Sequence, residues 1–156
     1  RLTDKPLLAK GFHRTDKDIE ASFRAGADYV LVVGRVPEVR SHERNRYLIE
    51  PSHKQLKTVL PMLDRGYRLV WNRRDLATGE MRDKFAFPDW DGWICQASGI
   101  RHAAEISPRV NAILVGQNLP ELAAEHGYSI PRGTPVAEFK RAPELIDGVH
   151  RPGDFN

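Results

Sequence analysis

Residues 15–36 read TDKDIEASFRAGADYVLVVGRV, and two different periods meet inside them. Ile19, Phe23 and Ala27 recur at helical spacing. Such spacing lines one face of a helix with apolar side chains. Thr15 stands where an N-cap belongs and Gly26 where a C-cap does. From Tyr29 the helical period gives way to YVLVV, an unbroken apolar run rich in β-branched residues. A run of that kind suits a strand buried on both faces, which is the habit of parallel sheets. A capped helix followed by a doubly buried strand is part of a βαβ unit and sets the class as α/β.

The same alternation extends both ways. Ahead of it, PLLAKGF (6–12) is a short apolar run ended by Gly11. Behind it, RYLIEP (46–51) is a strand closed by Pro51, and Ser52 can cap a helix over HKQLKTVLPMLDRG (53–66) that Pro61 should kink or weaken. YRLVWN (67–72), GWICQAS (92–98) and NAILVG (111–116) complete six expected strands, with a short helix in RHAAEISPR (101–109). The strands are expected near 7–10, 29–33, 47–50, 68–71, 93–96 and 112–115. Two crossovers are thin. PEVRSHERN (37–45) is shorter than the dozen or so residues a parallel connection usually needs, and ATGEMRDKFAFPDWD (77–91) holds Pro88, so at least one is expected to be irregular. From residue 120 the chain is rich in proline, and it reads as a short helix from Leu119, a loop, and a second helix near Val136–Leu145.

Composition sets outer bounds. The 156 residues fit one domain and carry a formal charge of +3. Apolar runs such as 29–33 and 112–115 fall far below the roughly 20 residues that cross a bilayer, and RLTDKPLLAK has no apolar core of a signal peptide. No membrane association is expected. Cys95 is the single cysteine, which rules out an intrachain disulfide and points to a reducing, cytoplasmic setting. Basic runs at 35–46 and Arg73–Arg74 interleave with acidic residues and lack the aromatics of a single-strand binder, so they read as solvated surface and no nucleic-acid partner is expected. The chain starts at Arg1 rather than Met. About 80–100 residues ahead of it would restore a barrel of about 250 residues.

Sites in parallel α/β folds form where strands end. Lys10, Glu50, Asn72, Arg73 and Arg74 stand at such ends, with glycine turns at Ser98–Gly99 and Gly116–Gln117. Lys10 against an apolar wall could act as a general acid or an amine nucleophile, and Glu50 within its reach would complete an acid–base pair. The plainer alternative is a solvated lysine in a rim salt bridge. The glycine turns, each opening a helix, could hold a phosphate on backbone N–H groups, or be ordinary turns.

Together these motifs resemble one family. PLLAKGF followed by AGADYVLVV is similar to the third strand, third helix and fourth strand of indole-3-glycerol-phosphate synthases. YLIEP resembles their fifth strand with its glutamate, WNRRDLATGE their Asn-x-Arg-Asp-Leu run, and ASGI with NAILVGQNL their seventh and eighth strands. The resemblance covers about Pro6 to Leu119. It implies a partial (β/α)₈ barrel over residues 1–119, about six parallel strands with reduced helices; residues 120–156 read from their own sequence as a C-terminal helix and proline-rich tail. It implies a carbon–carbon lyase of tryptophan biosynthesis that closes an anthranilate-derived ribulose phosphate into indole with loss of carbon dioxide and water, using no cofactor or metal. Lys10 would be the general acid, Glu50 the general base or its partner, and Asn72 and Arg74 would hold polar groups of the substrate, Arg74 facing its carboxylate. Phe12, Leu31 and Leu76 would line the aromatic ring's pocket, and Ser98, Gly99, Gly116 and Gln117 would hold the phosphate.

The chain also departs from that pattern. Ala97 stands where the family has its seventh-strand glutamate, Gly11 replaces the aspartate after the lysine, and the first two strands have no counterpart. A second reading is therefore a catalytically degenerate barrel kept as a binding or structural subunit. A third is an altered phospho-sugar enzyme that uses Lys10 differently. An arc of strands leaves two sheet edges open, so a partner chain, a second copy or the tail is expected to cover them.

Overall fold

Six parallel strands lie side by side in chain order and form one curled sheet, a half-barrel, in the computed structural model. It describes residues 4–38, 41–52, 54–64, 66–75, 78–81 and 87–128. The strands are β1 (Leu8–Ala9), β2 (Tyr29–Val33), β3 (Tyr47–Glu50), β4 (Arg68–Asn72), β5 (Ile94–Ala97) and β6 (Ala112–Leu114). Every neighbouring pair is parallel, with Leu31 opposite Leu48, Val33 opposite Glu50 and Asn72 opposite Ala97. All six expected strands form. β4 and β5 each run one residue further than expected, to Asn72 and Ala97, and β1 shrinks to two residues. β1 is short because Asp28 takes over: its carboxylate accepts from the Leu7 N–H at 2.7 Å, while the Leu7 carbonyl accepts from the N–H groups of Asp28 and Tyr29.

Helix α1 (Asp16–Arg24) has the ends its sequence signals. Thr15 and Asp18 form a reciprocal capping box. At the other end, Gly26 adopts φ 100°, and Gly26 and Ala27 donate their N–H groups to Phe23 and Ser22. That is a Schellman closure, which needs a left-handed residue. Helix α2 (Leu56–Val59) is a correction to the longer helix expected over 53–66. Ser52 does accept from the Gln55 N–H, but only a turn forms there. Pro61 supplies no N–H, and the chain tightens into a 3-10 turn at Leu60–Met62. The helix expected over 101–109 is likewise only a 3-10 turn at Ala103–Glu105, since Pro108 restricts Ser107 before it. Between β2 and β3, a 3-10 turn at Arg44–Arg46 is the only helical element among the described residues, so that crossover is irregular as expected. Helix α3 (Leu119–Glu125) forms where the short final helix belongs and buries Leu122. The expected second helix at Val136–Leu145 and the tail lie outside the described residues.

Strand alternation divides the core in two. On one face Val30, Val32, Tyr47, Ile49, Leu69, Trp71 and Ile94 pack with Ile19 and Phe23 of α1 and with Val59 and Leu63. On the other, Leu31, Leu48, Val70, Cys95 and Ala97 pack with Leu8, Tyr29, Val33, Trp93, Ala112 and Leu114. Among the described residues no helix contributes to this second cluster. Its residues are buried because curling brings the side chains of neighbouring strands together. At the strands' N-terminal end, Arg68 lies between the rings of Tyr29 and Trp93, 4.7 and 4.8 Å from their centroids. This stacking covers the floor of the half-barrel with cation–π contacts. Among the described residues no helix is long and apolar enough to cross a membrane.

Candidate active site

Lys10, Leu31, Glu50 and Asn72 share the face of the second cluster because of strand parity. Leu31 sits below, and the three polar groups stand at the strands' C-terminal ends. A cavity of about 460 Å³ opens there, lined by Lys10, Gly11, Phe12, Leu31, Val33, Glu50, Asn72, Arg74 and Ser98. Sequence reasoning placed seven of these at the site: Lys10, Phe12, Leu31, Glu50, Asn72, Arg74 and Ser98. Leu76 lies outside the described residues. Phe12 reaches the cavity but is 79% exposed, so its ring stands at the mouth rather than in the wall.

Glu50 is the chemically distinctive group. It is only 4% exposed. Burial raises its pKa above the ordinary carboxyl value, opposed by a hydrogen bond from Asn72 and by the charge of Lys10. Asn72 Nδ2 donates to Glu50 Oε1 at 2.6 Å, and Asn72 Oδ1 accepts from the Arg74 N–H at 2.9 Å. Asn72 therefore fixes both the carboxylate and the start of the loop that carries Arg74. Beneath, burial pushes the Cys95 thiol up to about 12, and the Glu50 charge adds to the effect. The thiol is thus held protonated and unreactive. Ala97, 6% exposed, lies beside Asn72 in the β4–β5 register and presents a methyl group where the family resemblance calls for a carboxylate.

A second cavity of about 420 Å³ adjoins the first and shares Arg74 and Ser98 with it. Gly99, Gly116, Gln117 and Ser98, the expected phosphate residues, all line it. Ser98 and Gly99 are both left-handed, at φ 63° and 68°, which turns the chain sharply after β5. Gly116 is not in that region, and a side chain there would meet open space. The two loops that form this cavity are tied together. Asn118 Nδ2 donates to the Ile100 carbonyl at 3.2 Å, and Glu125 of α3 binds His102 and accepts from the Ala103 N–H. Gln96 holds the same region from behind, through the Glu105 carbonyl and the Ser107 N–H.

Arg73, Met81, Arg101 and Glu105 also line this cavity, and sequence reasoning assigned none of them to it. The sequence sets Arg73 at the end of a strand, among the residues of the polar rim, but gives it no role toward the phosphate. Its placement depends on contacts across the sheet, where its N–H pairs with the Ala97 carbonyl at 3.0 Å. Among the described residues no group of three His, Cys, Asp or Glu side chains could hold a metal ion. Compared with known proteins, the chain matches no family model and no curated protein.

Proposed function

We propose that the half-barrel is strands three to eight of a (β/α)₈ barrel, and that it carries an impaired indole-3-glycerol-phosphate synthase-like carbon–carbon lyase site. The observation behind this reading is the convergence of Lys10, Leu31, Glu50, Asn72 and Arg74 on one cavity at the strands' C-terminal ends. Ring closure of an anthranilate-derived ribulose phosphate needs a proton delivered to a carbonyl oxygen, a base, and a charge facing the substrate's carboxylate. In this reading Lys10, which lines the cavity, gives the proton. Glu50, whose burial raises its pKa above the ordinary carboxyl value and which accepts from Asn72, is the group that would exchange one. Arg74 supplies the facing charge, and the adjoining cavity takes the phosphate. Decarboxylation then restores aromaticity, and dehydration completes the indole.

Ala97 favours a second reading, a degenerate barrel retained for binding. A methyl group cannot exchange a proton, and one acid–base group is typically worth about 10²–10⁴-fold. One experiment separates the two readings: follow indole fluorescence after adding the anthranilate-derived ribulose phosphate to the full chain and to Ala97→Glu. Slow indole formation that Ala97→Glu accelerates supports the lyase. Phosphate binding without indole formation from either protein supports the binding subunit.

A further inference from the structure

The second cavity carries more positive charge than a glycine turn alone requires. Arg73, Arg74 and Arg101 all line it, against the single carboxylate of Glu105. Glu105 is already engaged, because its Oε2 accepts from the N–H groups of Arg101 and His102 at 2.6 and 3.1 Å. Those bonds, with the charge of Arg73 as a smaller contribution, keep its pKa below the ordinary value. Arg74 is partly engaged through the Gly79 carbonyl. Arg73 differs from both. Its Nε is out of contact with water and has no hydrogen-bond partner among the described residues. That Nε is closed to a ligand as it is to water, so an anion in the cavity would meet the terminal nitrogens of Arg73, and guanidinium donors are most often matched by carboxylate or phosphate oxygens. Arg73 Nη1 also lies 3.7 Å from the point where a Gly99 side chain would begin. The end of Met81 packs against the same point, so guanidinium, methionine and left-handed turn lie together at this wall of the cavity.

We propose that Arg73 is an anion ligand of this cavity, supplying the charge that seats the phosphate of a phosphomonoester against the Ser98–Gly99 turn. The inference rests on the preceding reading for the ligand's identity. Arg73 itself occupies the unspecified position of the Asn-x-Arg-Asp-Leu run, so the family resemblance gives it no role. A tetrahedral dianion suits the cavity better than a monocarboxylate, since three arginines line it against one engaged carboxylate. Glu105 opposes the anion electrostatically.

The test is calorimetric titration of the full chain with inorganic phosphate, with acetate as the comparison, for the parent, Arg73→Gln, Arg73→Lys and Glu105→Gln. Circular dichroism and thermal melts establish folding. A charge-assisted hydrogen bond corresponds to about a 10- to 100-fold loss of affinity in Arg73→Gln. Arg73→Lys should fall between, keeping the charge but not the fork. Glu105→Gln should bind phosphate a few-fold more tightly. A folded Arg73→Gln that binds phosphate like the parent overturns the inference, as does a parent that prefers acetate or binds neither. Should Arg73→Gln fail to fold, Arg73→Lys decides: weaker phosphate binding than the parent upholds the inference and unchanged binding overturns it. Indole formation is scored separately. A parent that makes no indole, but loses phosphate on Arg73→Gln, refutes the lyase reading alone. Indole formation with phosphate affinity insensitive to Arg73→Gln refutes the anion-ligand role alone.

Discussion

Gly99 and Gly116 look interchangeable in sequence, each a glycine after an apolar strand, yet their surroundings predict opposite responses to alanine. Gly99 sits at φ 68°, where an L side chain costs about 1–2 kcal/mol. A Cβ there would also overlap the terminal carbon of Met81. Overpacking typically costs about 1–3 kcal/mol, and Met81 is 37% exposed with a flexible end, which puts it near the low limit of about 1 kcal/mol. Gly99→Ala should therefore lose about 2–3 kcal/mol. In a chain of this size that is a drop in melting temperature of about 4–12 °C. Gly116→Ala meets nothing and has no left-handed backbone, so it should stay within about 0.5 kcal/mol of the parent.

The two contributions at Gly99 separate in a double-mutant cycle with Met81→Ala. Removing the methionine end relieves the overlap but not the backbone strain. A favourable coupling of about 1 kcal/mol is expected, with the remaining loss unchanged. Urea denaturation of the four proteins, with midpoints and slopes fitted separately, measures it. Equal losses at Gly99 and Gly116 would refute the reasoning, because they would mean the turn after β5 is not left-handed. A Gly99→Ala loss with no coupling to Met81 would refute the packing of Met81 on the turn.

Glu50 has a raised pKa in the folded chain, so the folded state holds its proton more tightly than the unfolded state does. Stability from it is present below the ordinary carboxylate range and lost as pH rises toward the raised value; Glu50→Gln should flatten that fall in urea midpoints measured across it. His102 is raised, chiefly by its hydrogen bond to Glu125, and Glu125 is lowered, chiefly by the Ala103 N–H. The tie between the two loops should be complete from above the carboxylate range up to the ordinary histidine range, weakening as pH falls through the lowered Glu125 value or rises through the raised His102 value; Glu125→Gln should move the His102 NMR titration down to lower pH. The outer edges of β1 and β6 pair with no other strand among the described residues. Light scattering of the purified chain should show a self-associated or partnered species, and a cooperative monomer would show that the edges need no second chain.

What the sequence made legible here is what short-range physics decides. Thr15, Asp18 and Gly26 announce α1 because caps act within a few residues, and the runs at 29–33 and 47–50 announce strands because both faces are buried. Strand parity then places Leu31, Glu50 and Asn72 on one face without any knowledge of the curl. The shortness of α2 was half legible, since Pro61 marks a break but not that the helix waits until Leu56 to begin. The end of β4 announces Arg73 as a rim residue, but its place in the second cavity was illegible for a different reason. It follows the last residue of β4, where parity no longer applies, and its surroundings come from elsewhere in the chain: the Ala97 carbonyl of β5 that accepts from its N–H, and the Gly99 turn beside its guanidinium. Ala97 shows where the two kinds of information meet. Its mismatch with the family is plain from one letter, but only the register that sets it beside Asn72 shows how close to the buried Glu50 a restored carboxylate would come. Two carboxylates that close would raise each other's pKa and compete for Asn72. Ala97→Glu thus changes the acid–base balance of the whole cavity, and a gain in indole formation from it would require Lys10 to draw near enough to compensate the second charge.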